Sequence, residues 1–219
     1  GSVAVFVDHT GERSMVSGHG ADFYLLPSEL PRPSISGASH LHLTAWSFFT
    51  DPPRSAAREA ARVAKASGAT ISFDPGSFQM IGDMGVETFL EVTTDIGVDL
   101  FFPNKEEAAV LTGSSEPEVA AARLARLFAV ALIVMKLDSD GALVCERGEI
   151  HHVPPSSNRL VDATGAGDSF AGAFLSRWLK GADAVTAAGF AVGVAEWVIE
   201  HPGARPAPDA VIRAVLAQQ

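Results

Sequence analysis

The sequence predicts an α/β fold with a mostly parallel central sheet and a small β flap near the N-terminus. Three observations carry this expectation. Strand-like and helix-like segments alternate along most of the chain, the pattern of layered α/β architecture. Residues 130–135 (VALIVM) form an unbroken apolar run, which suits a strand covered on both faces, as parallel sheets require. The polar loops at Asp74, Asn104, Lys136 and Asp162 fall at the C-terminal ends of predicted strands, the side on which such sheets hold their ligands.

A chain of 219 residues is most simply one domain with a sizeable core, here a flap over about 1–18 and a ligand-binding core over 19–219. With 47% hydrophobic and 19% charged residues it is globular. No apolar run approaches the ~20 residues needed to span a bilayer, so no membrane partner is expected. The net charge of −10 speaks against nucleic acid. An anionic ligand must then be held by local N–H groups, a few Lys or Arg and a divalent cation. The single cysteine, Cys145, excludes an internal disulfide and favours a reducing compartment, the cytosol.

Taken in order, residues 3–8 and 13–16 read as two strands joined by a turn at His9, Thr10, Gly11 and Glu12. Residues 41–43 make a core strand whose C-terminal edge lies at a site. His40 and His42, two apart, share one face of it and read as a structural pair. Residues 55–67 (SAAREAARVAKAS) form an amphipathic helix stopped by Gly68, and 69–73 a strand that exits through Asp74, Pro75 and Gly76. A short strand at 98–102 precedes Asn104, and helices follow at 106–112, closed by Gly113, and at 118–128. After the buried strand at 130–135, segments 141–146 and 149–153 form a hairpin around Arg147 and Gly148. The remaining helices are expected from the Gly-rich stretch near 165 to Lys180, over 183–200, and over 209–217.

The most informative stretch is residues 162–174, DATGAGDSFAGAF. Gly165, Ala166 and Gly167 have almost no side chain, so their N–H groups can approach a ligand closely at a helix start, where the helix dipole favours anions. Asp168 follows at once. A carboxylate beside an anion hole suits proton abstraction from a hydroxyl while a phosphoryl group is held alongside. The plain alternative is a Gly-rich turn with an acidic cap before a core helix. Asn104 and Glu107 lie three apart at a helix start and share a side, which suits a hard cation such as Mg²⁺ bound through water, or an ordinary N-cap.

The stretch 162–174 resembles, over its whole length, the C-terminal signature of the ribokinase-like (PfkB-type) carbohydrate kinases, which have a layered α/β/α fold. The resemblance implies that Asp168 is the catalytic base and that Gly165, Ala166 and Gly167 form the anion hole for the transferred phosphate. Asn104 and Glu107 look like the family's N-x-x-E element, which positions Mg²⁺ through water. The loop from Lys136 through Asp138 to Gly141 resembles the family's nucleotide loop, with Lys136 against the ATP phosphates; Asp138 stands where a Gly is usual, and its carboxylate would crowd or repel phosphate. Asp74, Pro75 and Gly76 resemble an Asp-Pro-Asn element that here lacks its Asn. Asp162 and Thr164, with the loop at Gly203 and Ala204, match a monovalent-cation site, with K⁺ as the candidate ion, and Ala188 and Ala191 fall where the adenine pocket is lined, or pack in the core.

The resemblance implies an ATP-dependent kinase acting on a hydroxymethyl group of a small sugar or sugar acid, for example 2-dehydro-3-deoxygluconate, fructose or ribose. The rival expectation is a nucleotide- or metabolite-binding protein on the same fold that no longer transfers phosphate, favoured by Asp138 and the altered Asp74 loop. The flap suggests a homodimer. Family members carry a further segment before the first strand, so these residues are expected to belong to a longer protein.

Overall fold

The computed structural model describes residues 1–9, 13–18, 20–156 and 159–217. The chain divides into two compact units. One comprises Gly1–Ser2, Gly18–Asp138 and Leu143–His151, and the other Val3–Ser17, Ser139–Ala142 and His152–Gln219.

The first unit is built on a six-stranded sheet of order β3-β4-β5-β6-β7-β8, formed by β3 (His40–Thr44), β4 (Thr70–Asp74), β5 (Leu100–Phe101), β6 (Leu132–Lys136), β7 (Ala142–Glu146) and β8 (Glu149–Val153), of which Ala142, His152 and Val153 are counted in the second unit. The pairs β3/β4, β4/β5 and β5/β6 are parallel. The connections from β6 to β7 and from β7 to β8 are too short for a crossover, so those strands run antiparallel. Arg147 (φ 51°) and Gly148 (φ 90°) give the β7–β8 hairpin the left-handed two-residue turn that matches strand twist. As its composition predicts, β6 is buried over its apolar residues. β5 is shorter than expected, although its neighbours keep pairing: Asp99 N–H donates to the Ile71 carbonyl and Phe102 N–H to that of Phe73.

The helices of this unit are α1 (Arg32–Ser36), α2 (Pro53–Ala66), α3 (Phe78–Met84), α4 (Val86–Thr93), α5 (Lys105–Thr112) and α6 (Pro117–Leu127). In α2, Ala56, Ala57, Ala60, Ala61 and Ala64 make a buried stripe of methyl groups at helical spacing, which lets the helix lie close on β3 and β4. Ser67 and left-handed Gly68 end it as predicted. The core is aromatic: Phe73 stacks on Phe101 with ring centroids 5.7 Å apart, Phe101 on Phe128 at 4.5 Å, and Phe48 meets Phe73 edge-on at 5.4 Å. Helices α3 and α4 escaped the sequence reading. Gly82 and Gly85 interrupt their short patterns, yet Ser77 caps α3 by accepting from Met80 N–H, and Ile81 and Phe89 are fully buried.

The histidine pair does a structural job on β3 and β4. His40 lies 2.7 Å from Thr70 Oγ1 and 2.8 Å from Ser72 Oγ, and His42 Nδ1 lies 2.7 Å from the same Ser72 oxygen. Burial, with His42 adding, holds the His40 imidazole below its ordinary pKa against the pull of Asp99.

In the second unit β1 (Ser2–Val7) pairs with β2 (Arg13–Gly18), of which Ser2 and Gly18 belong to the first unit, as a separate two-stranded sheet, the expected flap. The predicted turn at Thr10, Gly11 and Glu12 lies outside the described residues. Helices α7 (Ala166–Trp178) and α8 (Ala184–Ile199) pack together, with the Arg177 guanidinium 4.1 Å from the Phe190 ring centroid, and α9 (Ala210–Ala217) follows. Asp183 caps α8 by accepting from Thr186 N–H. Among the described residues, no helix is long and apolar enough to cross a membrane.

Candidate active site

In the first unit the parallel strands bring their C-terminal ends together, and three predicted positions meet there. Lys136, the last residue of β6, donates its N–H to the Pro103 carbonyl and forms a parallel bridge with Asn104. Its ammonium does not stand free to meet phosphate: Nζ lies 2.6 Å from Oδ2 of Asp74 at the end of β4, with both side chains largely buried. Asp74 uses Oδ1 to accept from Gly76 N–H, closing the turn in which Gly76 takes φ 72°. The residue that looked like a remnant of an Asp-Pro-Asn element is thus the partner of Lys136.

Asn104 and Glu107 form a complete capping box. Asn104 Oδ1 accepts from Glu107 N–H at 2.7 Å, and Glu107 Oε2 accepts from Asn104 N–H at 2.8 Å. Capping and cation binding are not exclusive here, because the N3 glutamate of a capping box has no need to be buried and Glu107 is only 3% exposed. Burial pushes its carboxyl up to about 7, Asp74 and Glu106 add to that, and Lys136 and the Asn104 amide oppose it. A buried acid held near neutrality beside an ammonium is a site that a divalent cation would relieve. With one carboxylate oxygen and the Asn104 carbonyl already in use, the donor set fits a cation held through water.

The loop expected to take nucleotide shows how the chain accommodates Asp138. Asp138 takes φ 53°, the left-handed region natural to Gly, and its carboxylate lies 3.3 Å from the ammonium of Lys105. Lys105 was missed by sequence reading, and its only signal was a cation between Asn104 and two glutamates. Gly141 is needed as Gly: it has φ 83°, and an added Cβ would sit 2.1 Å from the Val153 carbonyl oxygen.

The second unit holds the signature. Gly165 is the N-cap of α7 with φ 82°, and Ala166 and Gly167, expected just before the helix, lie in its first turn. This corrects the three-amide anion hole: Ala166 N–H is turned back onto the Ala163 carbonyl at 3.2 Å, because the loop closes tightly before the helix. The N–H groups of Gly167 and Asp168 fall in the first turn, where a helix supplies no acceptor of its own. Asp168 is exposed at that end, while Phe170, Ala171, Ala173 and Phe174 carry the buried face. Asp168 is therefore presented by a helix anchored from behind.

Asp162 holds the loop in shape. Its buried carboxylate accepts from Thr164 N–H at 2.9 Å and, across the chain, from Gly203 N–H at 2.8 Å. Among the described residues the buried Thr164 Oγ1 has no hydrogen-bond partner, and such an oxygen beside a carboxylate fits the expected monovalent-cation site. Glu196 of α8, also missed by sequence reading, accepts from both the N–H and the hydroxyl of Ser156 and so ties down the segment that leads to Asp162. Ala188 and Ala191, expected at an adenine pocket, have no exposed surface and are core residues of α8 here.

The chain belongs to the pfkB family of carbohydrate kinases, whose sequence profile matches residues 1–210. It is 31% identical over 216 residues to an ATP-dependent ribose-1-phosphate kinase of Halopiger xanaduensis, covering 98% of this chain and 67% of that one. The structure superposes on the adenosine kinase from Sinorhizobium meliloti with a TM-score of 0.88 at 28% identity, covering 97% of this chain and 64% of that one. The fructokinase from Vibrio cholerae, solved in its fructose-, ADP- and calcium-bound form, matches with a TM-score of 0.82 at 25% identity, over 99% of this chain and 72% of the other. The chain thus spans about two thirds of the length of these relatives. The mostly parallel sheet and the N-terminal flap are those of the ribokinase-like fold.

Proposed function

We propose that this chain carries the nucleotide-binding and catalytic residues of an ATP-dependent kinase that phosphorylates a hydroxymethyl group of a small sugar or sugar acid, such as 2-dehydro-3-deoxygluconate, fructose or ribose. The observation that carries the reading is the exposed Asp168 on the first turn of α7, where the helix supplies no acceptor for the Gly167 and Asp168 amides, with the loop behind it fixed by Asp162. In this reading Asp168 takes the proton of the acceptor hydroxyl, and the Gly167 and Asp168 N–H groups face the charge that grows on the transferred phosphoryl group. Asn104 and Glu107 would hold Mg²⁺ through water, and Asp162 and Thr164 would hold a monovalent cation such as K⁺. Mg²⁺ would supply neutralisation of the polyphosphate, which a chain of net charge −10 cannot offer. Phosphoryl transfer needs little beyond such positioning and electrostatics.

The relatives support the reading through what their names state: one is an ATP-dependent kinase of a sugar phosphate, and another was solved with fructose and ADP. The exposed Val3, Phe6 and Val16 of the flap suit pairing with a second copy, and buried Cys145, its thiol pushed up by burial, suits the cytoplasm. The second reading, a ligand-binding protein without phosphotransfer, draws on one feature: Lys136 is engaged by Asp74. ATP consumption by the full-length protein against hexoses, pentoses, keto sugar acids and nucleosides separates the two. Turnover on one of these acceptors is expected. Nucleotide binding with no turnover on any of them would favour the second.

A further inference from the structure

Lys105 opens α5, Asp138 follows β6, and their side chains meet at 3.3 Å. We infer that Lys105 is a positioning residue that sets nucleotide affinity by neutralising Asp138, a carboxylate which this chain carries in the loop that receives the ATP phosphates. The inference rests on the kinase reading and identifies a determinant of nucleotide affinity within it.

The backbone at 138 is left-handed, the conformation that a Gly adopts without strain and that Asp tolerates better than most residues. The loop therefore keeps a path suited to Gly, and the Asp adds one thing to it, a negative charge. That charge is not used in packing, since the side chain is 57% exposed. Nor does folding explain the pair, because ion pairs this open add little to stability. A ligand explains it better. The chain is already at −10, so a bare carboxylate in a phosphate-binding loop would oppose a polyanion that the overall field does not attract. Within a Debye length and at intermediate screening, one such charge changes anion affinity about five- to tenfold. Lys136 is drawn to Asp74. Lys105 is the cation the structure sets against Asp138.

Binding of Mg·ADP to the full-length protein, measured by calorimetry on wild type, K105M, D138G and the double variant, tests this. K105M should bind about five- to tenfold more weakly and D138G several-fold more tightly than wild type, and the double variant should return close to wild-type affinity, because the two charges cancel. K105R, which keeps the charge, should restore wild-type affinity. In turnover the K105M defect should appear in KM for ATP with kcat nearly unchanged, a split that a folding defect would not produce. A double variant that binds clearly more weakly than wild type would overturn the inference, since Lys105 would then grip phosphate itself. So would a K105M variant that binds like wild type. Wild type that binds no nucleotide would bring down the kinase reading, and this inference with it.

Discussion

The ammonium of Lys136 lies 2.6 Å from the carboxylate of Asp74, joining the ends of β4 and β6 across β5, which runs between them in the sheet. Both side chains are less than a fifth exposed, so removing one leaves the other charged and nearly dry. K136M is expected to lower stability by about 2–4 kcal/mol, and D74N by somewhat less. The double variant K136M/D74N should be more stable than the sum of the two losses predicts. Urea unfolding of the four proteins measures this. Simple additivity would show that the two groups do not act as a pair.

Asp168→Asn keeps the size of the side chain and its place in the first turn of α7, but cannot accept a proton at neutral pH. Turnover on the true acceptor should fall by ~10²–10⁴-fold, with nucleotide affinity nearly intact. Single-turnover kinetics alongside Mg·ADP binding gives both quantities. Wild-type turnover in this variant would remove Asp168 from the role of base.

Glu107 makes stability depend on pH in an identifiable direction. Its carboxyl is pushed up to about 7 from an ordinary value of 4.5, chiefly by burial. Between those values the folded chain holds a proton that the unfolded chain has lost. The contribution of Glu107 is therefore greatest below about pH 4.5, declines as pH rises towards 7, and is level above that. E107Q retains an oxygen for the Asn104 amide and never ionises. Without divalent cation, the stability of wild type relative to E107Q should decline from pH 5 to pH 8. His40, whose depressed pKa removes stability as pH falls below its ordinary 6.5, is common to both proteins and cancels in the difference. A flat difference would mean that Glu107 titrates in the fold as it does in water.

Much of this was legible in the residues. The VALIVM run announced β6 because a strand covered on both faces leaves no room for polar alternation, and Asn104 and Glu107 announced a helix start because both side chains are needed to satisfy its amides. The place of Asp168 was legible because the Gly-rich run before it marks the start of a helix, here α7. What escaped notice depends on contacts between distant residues. Asp74 and Lys136 are 62 positions apart, and nothing local marks them as partners. Glu196 reads as one acid on an Ala-rich helix until Ser156 is seen against it, 40 positions away. The Ala166 amide was misjudged because the closure of the loop onto Ala163 depends on Gly165 turning left-handed, and sequence does not say which Gly of a Gly-rich run does so.

Gly165 and Gly172 offer the same substitution with opposite outcomes on one helix. At Gly165 φ is 82°, and an added Cβ would lie 2.5 Å from the Ala204 carbonyl oxygen and 2.9 Å from its Cα. Neither backbone can withdraw freely, because Asp162 binds Thr164 on one side and Gly203 on the other. G165A should cost about 2–4 kcal/mol through backbone strain and overpacking together. It should also shift the first turn of α7, and a displacement near 1 Å at Asp168 is enough to lower turnover by roughly 10²-fold. At Gly172, inside α7, no atom lies within 4 Å of the added Cβ, and G172A should stabilise by about 0.5–1 kcal/mol through helix propensity alone. Denaturant unfolding and kcat for the two variants decide the matter. If G165A unfolds and turns over like wild type, the tie from Asp162 to the 203 loop does not fix the start of α7, and the rigid presentation of Asp168 loses its basis.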